Sequence, residues 1–163
     1  MTVLYYLQSI RSAKLDRFMK AVTKLGNAGA VWIALAFTLL LFKSTQKGGQ
    51  SLLLALTISA IIGNVILKNL VNRDRPCWRD QTIALLIPMP QDYSFPSGHT
   101  YSSFTAAFCI LPFVPLPLFW AALLLASAIG LSRLYLFVHY LSDVLVGAAC
   151  GILTGTLVAG LFL

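Results

Sequence analysis

Charge is scarce in this sequence, and one charged residue type is missing altogether. Only 10% of the residues are charged and none is glutamate, whereas soluble domains carry about 25% charged residues. Hydrophobic residues make up 58% of the chain, against roughly 45–50% in soluble domains. These values exclude an ordinary soluble domain and predict a membrane protein. No linker-like segment or internal repeat divides the sequence, so we expect a single domain, residues 1–163.

The charge that is present is strongly basic. Twelve lysines and arginines face five acidic residues, which gives a net charge of +7. Basic membrane proteins meet anionic headgroups or phosphates, so we expect membrane lipids as partners. Nucleic acid is the rival partner for a basic chain. Here the basic residues alternate with apolar segments and form no stripe or known nucleic-acid module, so we expect no nucleic acid partner.

Cysteine is rare as well, with three residues in the chain. Cys77, Cys109 and Cys150 have no metal-ligand spacing, and two of them lie in apolar runs where cysteine behaves as a small hydrophobic residue. Carboxylates are too few for a site that binds a hard cation. We therefore expect no disulfide framework, no metal and no cofactor.

Long uncharged intervals predict the fold class. A helix needs about 20 residues to cross a bilayer, and the three prolines of PFVPLP divide the longest interval into two. We predict an all-α, polytopic membrane helix bundle with five transmembrane helices. Their approximate bounds are 26–42, 50–70, 97–112, 117–136 and 140–163.

An amphipathic segment precedes the first predicted span, at about residues 8–25. Its apolar residues recur at helical spacing, and lysines and arginines cluster on the opposite face. This pattern predicts an interfacial helix, and packing on the protein's own surface is the alternative. The connection from 72 to 96 contains IALLIPMP, which is too short to span, and we predict that it dips into the interface.

The first polar constellation is KNLVNRDRP, in which Lys68 is followed by Arg75 and Pro76. If the second span continues through this segment, residues seven apart return to the same helix face, so both cations point at one target. A basic flank of a membrane helix is the alternative reading. Lys68 disfavours that reading, because it directly follows an apolar run and needs a partner there.

The second constellation is YSFPSGHT, residues 93–100. We predict that Pro96 is the first residue of a helix, which places Ser97, Gly98 and His99 in its first turn. Free backbone N–H groups and the positive end of the helix dipole favour an anion at such a turn. A helix start without any ligand is the alternative.

The third constellation is SRLYLFVHYLSD, in which Arg133, His139 and Asp143 interrupt a hydrophobic segment. On one helix His139 and Asp143 are neighbours, so the carboxylate accepts a hydrogen bond from the imidazole and leaves the other ring nitrogen as a nucleophile or base. Arg133 lies about 120° away from that face. We therefore predict a turn between Arg133 and His139. A satisfied histidine pair with a snorkelling arginine is the alternative.

The five-span topology places all three constellations on one side of the membrane. Two histidines, several cations and a helix N-terminus together describe a site for a phosphate ester and its transfer to nitrogen. In order and spacing the three segments resemble the signature of the type 2 phosphatidic acid phosphatase superfamily. The resemblance runs from about residue 10 to the C-terminus and includes LGNAG at 25–29, similar to the beginning of the first span in small bacterial members.

The resemblance implies a mechanism without a metal ion. His139 attacks phosphorus and forms a phosphohistidine, Asp143 orients His139, and His99 protonates the leaving oxygen and then activates water. The groups implied to hold the phosphate oxygens are Lys68, Arg75, Arg133, Ser97 and the Gly98 amide. The membrane setting implies a lipid phosphate substrate such as undecaprenyl pyrophosphate, phosphatidylglycerophosphate or phosphatidic acid. The oligomeric state stays open.

Two other functions use the same pocket. Vanadium haloperoxidases share the anion site, but those relatives are soluble. A non-catalytic or transport protein that binds lipid phosphates would lack a catalytic histidine or carboxylate, and none is missing here. Arg73, Trp78 and Arg79 lie in the same loop and are expected either to touch a second phosphate or headgroup or, as we prefer, to anchor the loop at the interface.

The orientation in the cell membrane receives conflicting signals. Ten cations lie on the predicted site side, against Lys43 and Lys47 on the other, and the positive-inside rule places such a side in the cytoplasm. The family resemblance implies an extracytoplasmic site. We follow the resemblance, because several of these cations belong to the interfacial helix and the phosphate-binding loop rather than to short flanks.

Overall fold

The computed structural model describes residues 1–163 and contains helices but no strands. Besides its α-helices the chain has a π-helix, Ile61–Leu67, and two 3₁₀ turns, Asn27–Gly29 and Leu111–Phe113. The nine α-helices are α1 Thr2–Ser9, α2 Ala13–Leu25, α3 Ala30–Leu40, α4 Gln46–Ala60, α5 Lys68–Val71, α6 Pro76–Arg79, α7 Gly98–Ile110, α8 Leu116–Tyr135 and α9 Leu141–Gly160.

Several of these helices have the length and composition of membrane spans. The runs Gln46–Arg79, Leu116–Tyr135 and Leu141–Gly160 each qualify, and a fourth span results if α2 and the segment Asn27–Leu40, bent by 47°, count as one. Large apolar side chains on the outer surface remain exposed, among them Phe37, Trp120, Leu124 and Leu157. A soluble monomer does not expose that much apolar surface. The chain is therefore a helical bundle suited to a membrane.

The N-terminal segment forms two helices where the sequence predicted one over residues 8–25. The Ser12 side chain accepts a hydrogen bond from the Leu15 amide, and this cap starts α2 at Ala13. The preceding helix α1 was not predicted. It packs against α8 through buried Leu4, and the Gln8 side chain donates to the Tyr135 carbonyl.

Helices α7 and α9 form the closest contact in the bundle. Glycines stand at every fourth position of α9, namely Gly147, Gly151 and Gly155. A Cβ at Gly151 would lie 2.7 Å from the Tyr101 carbonyl oxygen, and one at Gly155 2.5 Å from that of Thr105. Small residues at this spacing let helix backbones touch in membranes. The two helices run in the same direction, so their N-termini lie together.

The loop between α5 and α7 is anchored on the protein. A small buried cluster includes Leu4, Cys77, Leu134 and Phe137, and the loop residues Leu85, Leu86 and Ile87 pack against it. The apolar part of IALLIPMP therefore contacts the bundle, where the sequence predicted a segment that dips into the interface. This packing holds the loop over the N-terminal ends of α7 and α9.

Candidate active site

A cavity of about 910 Å³ opens beside the N-terminal end of α7. Six of the eight predicted site residues line it: Lys68, Arg75, Gly98, His99, Arg133 and His139. The other two, Ser97 and Asp143, are fully buried and do not line it. The structure thus brings three distant sequence segments to one cavity, with two of the predicted residues in its supporting wall.

Lys68 and Arg75 meet by a different route from the one predicted. The helix that carries Lys68 ends at Val71, where Asn72 adopts a left-handed conformation with φ 48°. The condition of that prediction, one continuous helix through both cations, is therefore not met. They converge instead on Asp92, which pairs with Lys68 and accepts a 2.7 Å hydrogen bond from Arg75 Nη2.

Asp92 is a charged group within the cavity. Partial burial raises its pKa, but the hydrogen bond and charge of Lys68 and the charge of Arg75 outweigh this and lower the pKa of Asp92 to about 2. Its side chain is 55% exposed. A carboxylate therefore holds the two cations from the open side of the cavity.

Helix α7 begins at Gly98, with Ser97 as its N-cap, and not at Pro96 as predicted. Ser97 has an extended backbone, ψ 106°, so the helical conformation starts one residue later. The Ser97 hydroxyl accepts a hydrogen bond from Thr100 Oγ1, and its amide donates to the Asp143 carbonyl. A Cβ at Gly98 would lie 2.7 Å from Asn64 Oδ1, so a side chain there would require the Asn64 side chain to move.

His139 lies in the turn between α8 and α9. Helix α8 ends at Tyr135 and α9 starts at Leu141, which confirms the predicted break between Arg133 and His139. His139 Nδ1 is 2.7 Å from the Ser94 carbonyl oxygen and 3.6 Å from Asp143 Oδ2. The predicted imidazole–carboxylate hydrogen bond on one helix is not formed, because His139 precedes the N-cap of α9.

This arrangement defines the tautomer of His139. A carbonyl oxygen only accepts, so Nδ1 carries the hydrogen and Nε2 keeps a lone pair, toward which Arg75 Nη1 points from 3.2 Å. Burial and the charges of Arg75, Arg133 and Lys68 lower the pKa of His139 well below 6.5. His139 is therefore a neutral base with its free nitrogen in the cavity.

Asp143 receives its hydrogen bonds from other groups. Arg73 Nη1 donates to Oδ1 over 2.7 Å, and the Tyr140 amide donates to Oδ2 over 2.8 Å. The Arg73 guanidinium also stacks 4.2 Å above the Tyr140 ring. Asp143 thus fixes the start of α9, directly after the His139 turn.

The three loop residues left open by the sequence do not line the cavity. Arg73 is bound to Asp143, Trp78 donates to the Pro90 carbonyl, and Arg79 lies 3.6 Å from Asp74. Arg73 thus ties the loop to α9, whereas the contacts of Trp78 and Arg79 lie within the loop.

Arg133 differs from the other two buried cations. It is 5% exposed, and no carboxylate lies within 4.0 Å, whereas Lys68 and Arg75 share Asp92. Its Nη1 donates to Thr23 Oγ1 over 2.5 Å, but its Nε has no partner. A buried cation without a counter-ion is costly, so the cavity favours an anion.

Sequence reasoning missed several residues that contact this site. Asp92 had a visible signal, since it is one of only five acidic residues and lies four positions before Pro96. Asn27, which contacts His99, lies in the LGNAG segment, to which no role was given. The Ser94 carbonyl had no signal, because any residue type supplies a backbone oxygen.

The other half of the cavity is apolar. Ile33 and Phe37 of α3 and Leu53 and Leu56 of α4 line it. The cavity therefore combines a cationic end with two histidines and a hydrophobic end between two helices.

Several known proteins are similar to this chain in sequence. The PAP2 superfamily matches residues 48–162. The chain is 34% identical over 139 residues to the undecaprenyl-diphosphatase of Sulfolobus acidocaldarius, covering 85% of this chain and 66% of that protein. It is 40% identical over 94 residues to the decaprenylphosphoryl-5-phosphoribose phosphatase of Mycobacterium tuberculosis, covering 58% and 50%. The chain thus spans between a half and about two thirds of the length of these two relatives.

Solved structures share the whole fold. LpxE of Aquifex aeolicus superposes with a TM-score of 0.86 at 30% identity, covering 98% of this chain and 93% of LpxE. The PAP2-type phosphatidylglycerolphosphate phosphatase of Bacillus subtilis gives 0.80 at 26% identity, covering 98% and 82%. Because the family match extends over most of the chain and includes all three constellations, the chain belongs to the PAP2 superfamily.

Proposed function

We propose that this protein is a metal-independent lipid phosphate phosphatase that works through a phosphohistidine on His139. The observation that carries the proposal is buried Arg133, which has no carboxylate partner and faces the same cavity as both histidines. A phosphate supplies the counter-ion that Arg133 lacks. Lys68, Arg75 and the N-terminal turn of α7 at Gly98 provide further donors around the same anion, and Ser97 supports that turn from behind.

In the first step, the Nε2 lone pair of His139 attacks phosphorus. The P–N bond forms as the bond from phosphorus to the leaving oxygen breaks, and His99 gives that oxygen a proton. Arg133, Lys68 and Arg75 stabilise the charge on the equatorial oxygens. Asp143 acts on His139 indirectly, by holding the start of α9 and by placing a negative charge 3.6 Å from Nδ1.

In the second step, His99 is neutral and takes a proton from water. The water oxygen attacks phosphorus, the P–N bond breaks, and the electron pair returns to His139 Nε2. Inorganic phosphate leaves and both histidines regain their starting states. No step needs a metal or another cofactor.

The shape of the cavity supports a lipid substrate. Its apolar end, between Ile33, Phe37, Leu53 and Leu56, fits a hydrocarbon tail, and its cationic end fits a phosphate. The candidates are undecaprenyl pyrophosphate, phosphatidylglycerophosphate and phosphatidic acid. We test the polyprenyl phosphates first, because two relatives, from Sulfolobus acidocaldarius and Mycobacterium tuberculosis, are named for polyprenyl lipids.

We also propose five spans, with α2 at the interface and the cavity facing the extracytoplasmic side. Helix α3 packs along α4, and α7 is enclosed by α4, α8 and α9. Because α7 is shielded from lipid by these helices, it can be one of the five spans without the length and hydropathy that a lipid-exposed span requires. Exposed Phe18 and the exposed basic residues Lys14, Arg17 and Lys24 give α2 an interfacial character.

The catalytic proposal is tested with His139→Ala in EDTA. Phosphate release from lipid phosphates should fall to background, while the thermal unfolding of the variant stays close to wild type. Gln81→Ala, an exposed change in the loop between α5 and α7, is the control and should keep full activity. Release by His139→Ala in EDTA would contradict the proposal. Wild-type binding of the lipid without release would instead support a non-catalytic binding protein.

The orientation is tested with single cysteines and a membrane-impermeant thiol reagent. Native Cys77 is only 1% exposed and does not report on the loop. Gln81→Cys and Ser44→Cys are exposed positions on the two opposite sides of the proposed bundle. We expect labelling of Gln81→Cys in intact cells and of Ser44→Cys only after lysis. The reverse pattern would place the cavity on the cytoplasmic side.

A further inference from the structure

The segment LGNAG, residues 25–29, lies at the bend between α2 and α3 and contacts His99. The chain bends there by 47°. Asn27 Oδ1 is 3.0 Å from His99 Nε2, across 72 residues of sequence. The segment thus joins the first third of the chain to one of the two histidines.

The backbone of this segment is shaped around the imidazole. A Cβ at Gly26 would lie 2.9 Å from His99 Cδ2, so the ring fills the space that a side chain would occupy. Ala28 and Gly29 have φ angles of 50° and 68°, and these left-handed residues turn the chain directly after Asn27. Gly26, Ala28 and Gly29 line the cavity next to His99.

The hydrogen bond determines which nitrogen of His99 is free. The amide oxygen of Asn27 only accepts, so Nε2 carries the hydrogen in that contact. The proton that His99 exchanges with the substrate is then on Nδ1. When His99 is protonated, both nitrogens carry hydrogens, and Asn27 still accepts from Nε2.

We propose that Asn27 is a positioning residue that holds His99 as the Nε2–H tautomer and leaves Nδ1 to exchange the catalytic proton. This inference rests on the proposed function and assigns LGNAG the role of a cradle for the acid–base histidine. It also makes the two histidines opposite tautomers, because Ser94 holds His139 with its hydrogen on Nδ1. Each ring is fixed by a partner that only accepts.

The first test reads the tautomers without any turnover. The chain contains two histidines, so ¹⁵N-histidine-labelled protein in micelles gives two imidazole patterns, assigned with His99→Gln. At pH 8 we expect His99 as Nε2–H and His139 as Nδ1–H. Asn27→Ala should change the His99 pattern and leave that of His139 in place. A His99 found as Nδ1–H, or unchanged in Asn27→Ala, would overturn the inference.

The second test uses kinetics with a lipid phosphate. Loss of the partner that orients a metal-bound histidine costs about 10–100-fold. For Asn27→Ala, which removes the orienting partner of His99, we expect a loss at the lower end of that range, with kcat/KM falling about 10-fold and little change in KM. Asn69→Ala is the matched control, since Asn69 is exposed and bonds only the Val65 carbonyl, and should match wild type. A wild-type value for Asn27→Ala would overturn the inference.

The third test uses pH and a conservative variant. The charged and titratable groups facing His99 are Lys68, Arg75, Arg133 and His139, with Asp92 in the same cavity. Asn27→Asp keeps the acceptor and adds a negative charge, which favours the protonated ring. We expect it to recover most of the activity and to move the alkaline limb of kcat/KM up by about 1 pH unit. An unshifted alkaline limb of kcat/KM would overturn the positioning role of Asn27.

The tautomer spectra do not depend on turnover. They therefore test the role of Asn27 even if the His139→Ala experiment disproves the phosphatase activity.

Discussion

The two walls of the cavity are built in opposite ways. On one side, α7 and α9 touch backbone to backbone, because Gly147, Gly151 and Gly155 have no side chains to separate them. On the other side, α3 and α4 touch at Gly49, where a Cβ would lie 2.8 Å from the Ala36 carbonyl oxygen, but Ile33, Phe37 and Leu53 line an apolar space of the cavity. We call the side formed by α7 and α9 the packed wall and the side formed by α3 and α4 the open wall.

The two walls differ in the residues that they contribute to the cavity. His99 lies on α7 and His139 directly before α9, so both histidines come from the packed wall, and the unpaired Arg133 comes from α8, which packs against α7. Reacting groups need fixed positions within a fraction of an ångström, whereas a hydrocarbon tail needs volume. The comparison predicts that changes in the packed wall reduce catalysis, whereas changes in the open wall alter substrate preference.

The largest effect should come from Arg133→Ala. This change removes the buried cation that has no carboxylate partner, and with it a donor to the charge that develops on the phosphoryl oxygens. Loss of one such donor costs about 10²–10³-fold in kcat. The measurement is kcat on a lipid phosphate in detergent, beside thermal unfolding.

The control for Arg133 is Arg17→Ala, an exposed cation on α2 with no ion pair, which should keep its kcat. Arg133→Lys keeps the charge but loses the planar donor set, so we expect partial recovery. Wild-type kcat in Arg133→Ala would contradict the role of Arg133 in stabilising the charge on the phosphoryl oxygens.

Gly151→Ala should have the next largest effect, on stability first. The added methyl would lie 2.7 Å from both the Tyr101 carbonyl oxygen and Phe104 Cβ, so α7 and α9 must separate. Overpacking of this kind costs about 1–3 kcal/mol, and the displaced helix ends should lower kcat as well. Thermal unfolding and kcat together measure the effect.

Gly160→Ala is the matched control on the same helix. A Cβ there meets nothing within 4 Å, so we expect unchanged stability and activity. If Gly151→Ala behaves like Gly160→Ala, close contact between α7 and α9 does not hold the site together.

The packed wall also shows what sequence reasoning can and cannot reach. The glycine spacing GAACGILTG was visible in the sequence and predicts close helix contact, but it was not used. The break after Arg133 was predicted correctly, because six residues on a helix leave the wrong angle. Side-chain chemistry and helical periodicity were thus enough to find the two histidines and the buried cations of the cavity, but not its apolar lining.

The errors have one physical cause. The pairings of Lys68 with Arg75 and of His139 with Asp143 were inferred from helix periodicity, which holds only while the chain stays helical. Asn72 ends one helix, and the extended N-cap Tyr140 starts another, so both pairings cross a boundary. The actual partners, Asp92 and Ser94, come from a loop whose position depends on packing against distant residues. Local sequence does not encode that position.

A change in the open wall should alter binding rather than chemistry. Phe37→Ala removes a ring from the apolar end of the cavity, which weakens contact with a hydrocarbon tail by about 1 kcal/mol. We expect KM for a long-chain lipid phosphate to rise about fivefold at constant kcat. KM for a short-chain phosphate should stay the same.

Phe42→Ala is the control for the open wall. Phe42 and Phe37 are equally exposed, at 58% each, but Phe42 does not line the cavity. A similar rise in KM in both variants would mean that general contact with the micelle, and not the cavity, selects the tail.

The smallest effect concerns Asp92, which faces the open side and holds two cations of the site. A phosphate must compete with this carboxylate for Lys68 and Arg75. In Asp92→Asn we therefore expect KM and the inhibition constant of orthovanadate to fall about two- to threefold, the modest size typical of a partly exposed ion pair. Because the Asp92 pKa is lowered to about 2, the group stays charged above about pH 4. The ratio of KM in the variant to KM in wild type should therefore not vary between pH 5 and 9.

Asp74→Asn, which affects only the surface pair with Arg79, is the control. A rise in KM in Asp92→Asn would show instead that Asp92 positions the two cations for the substrate, which would make the loop between α5 and α7 part of the catalytic machinery.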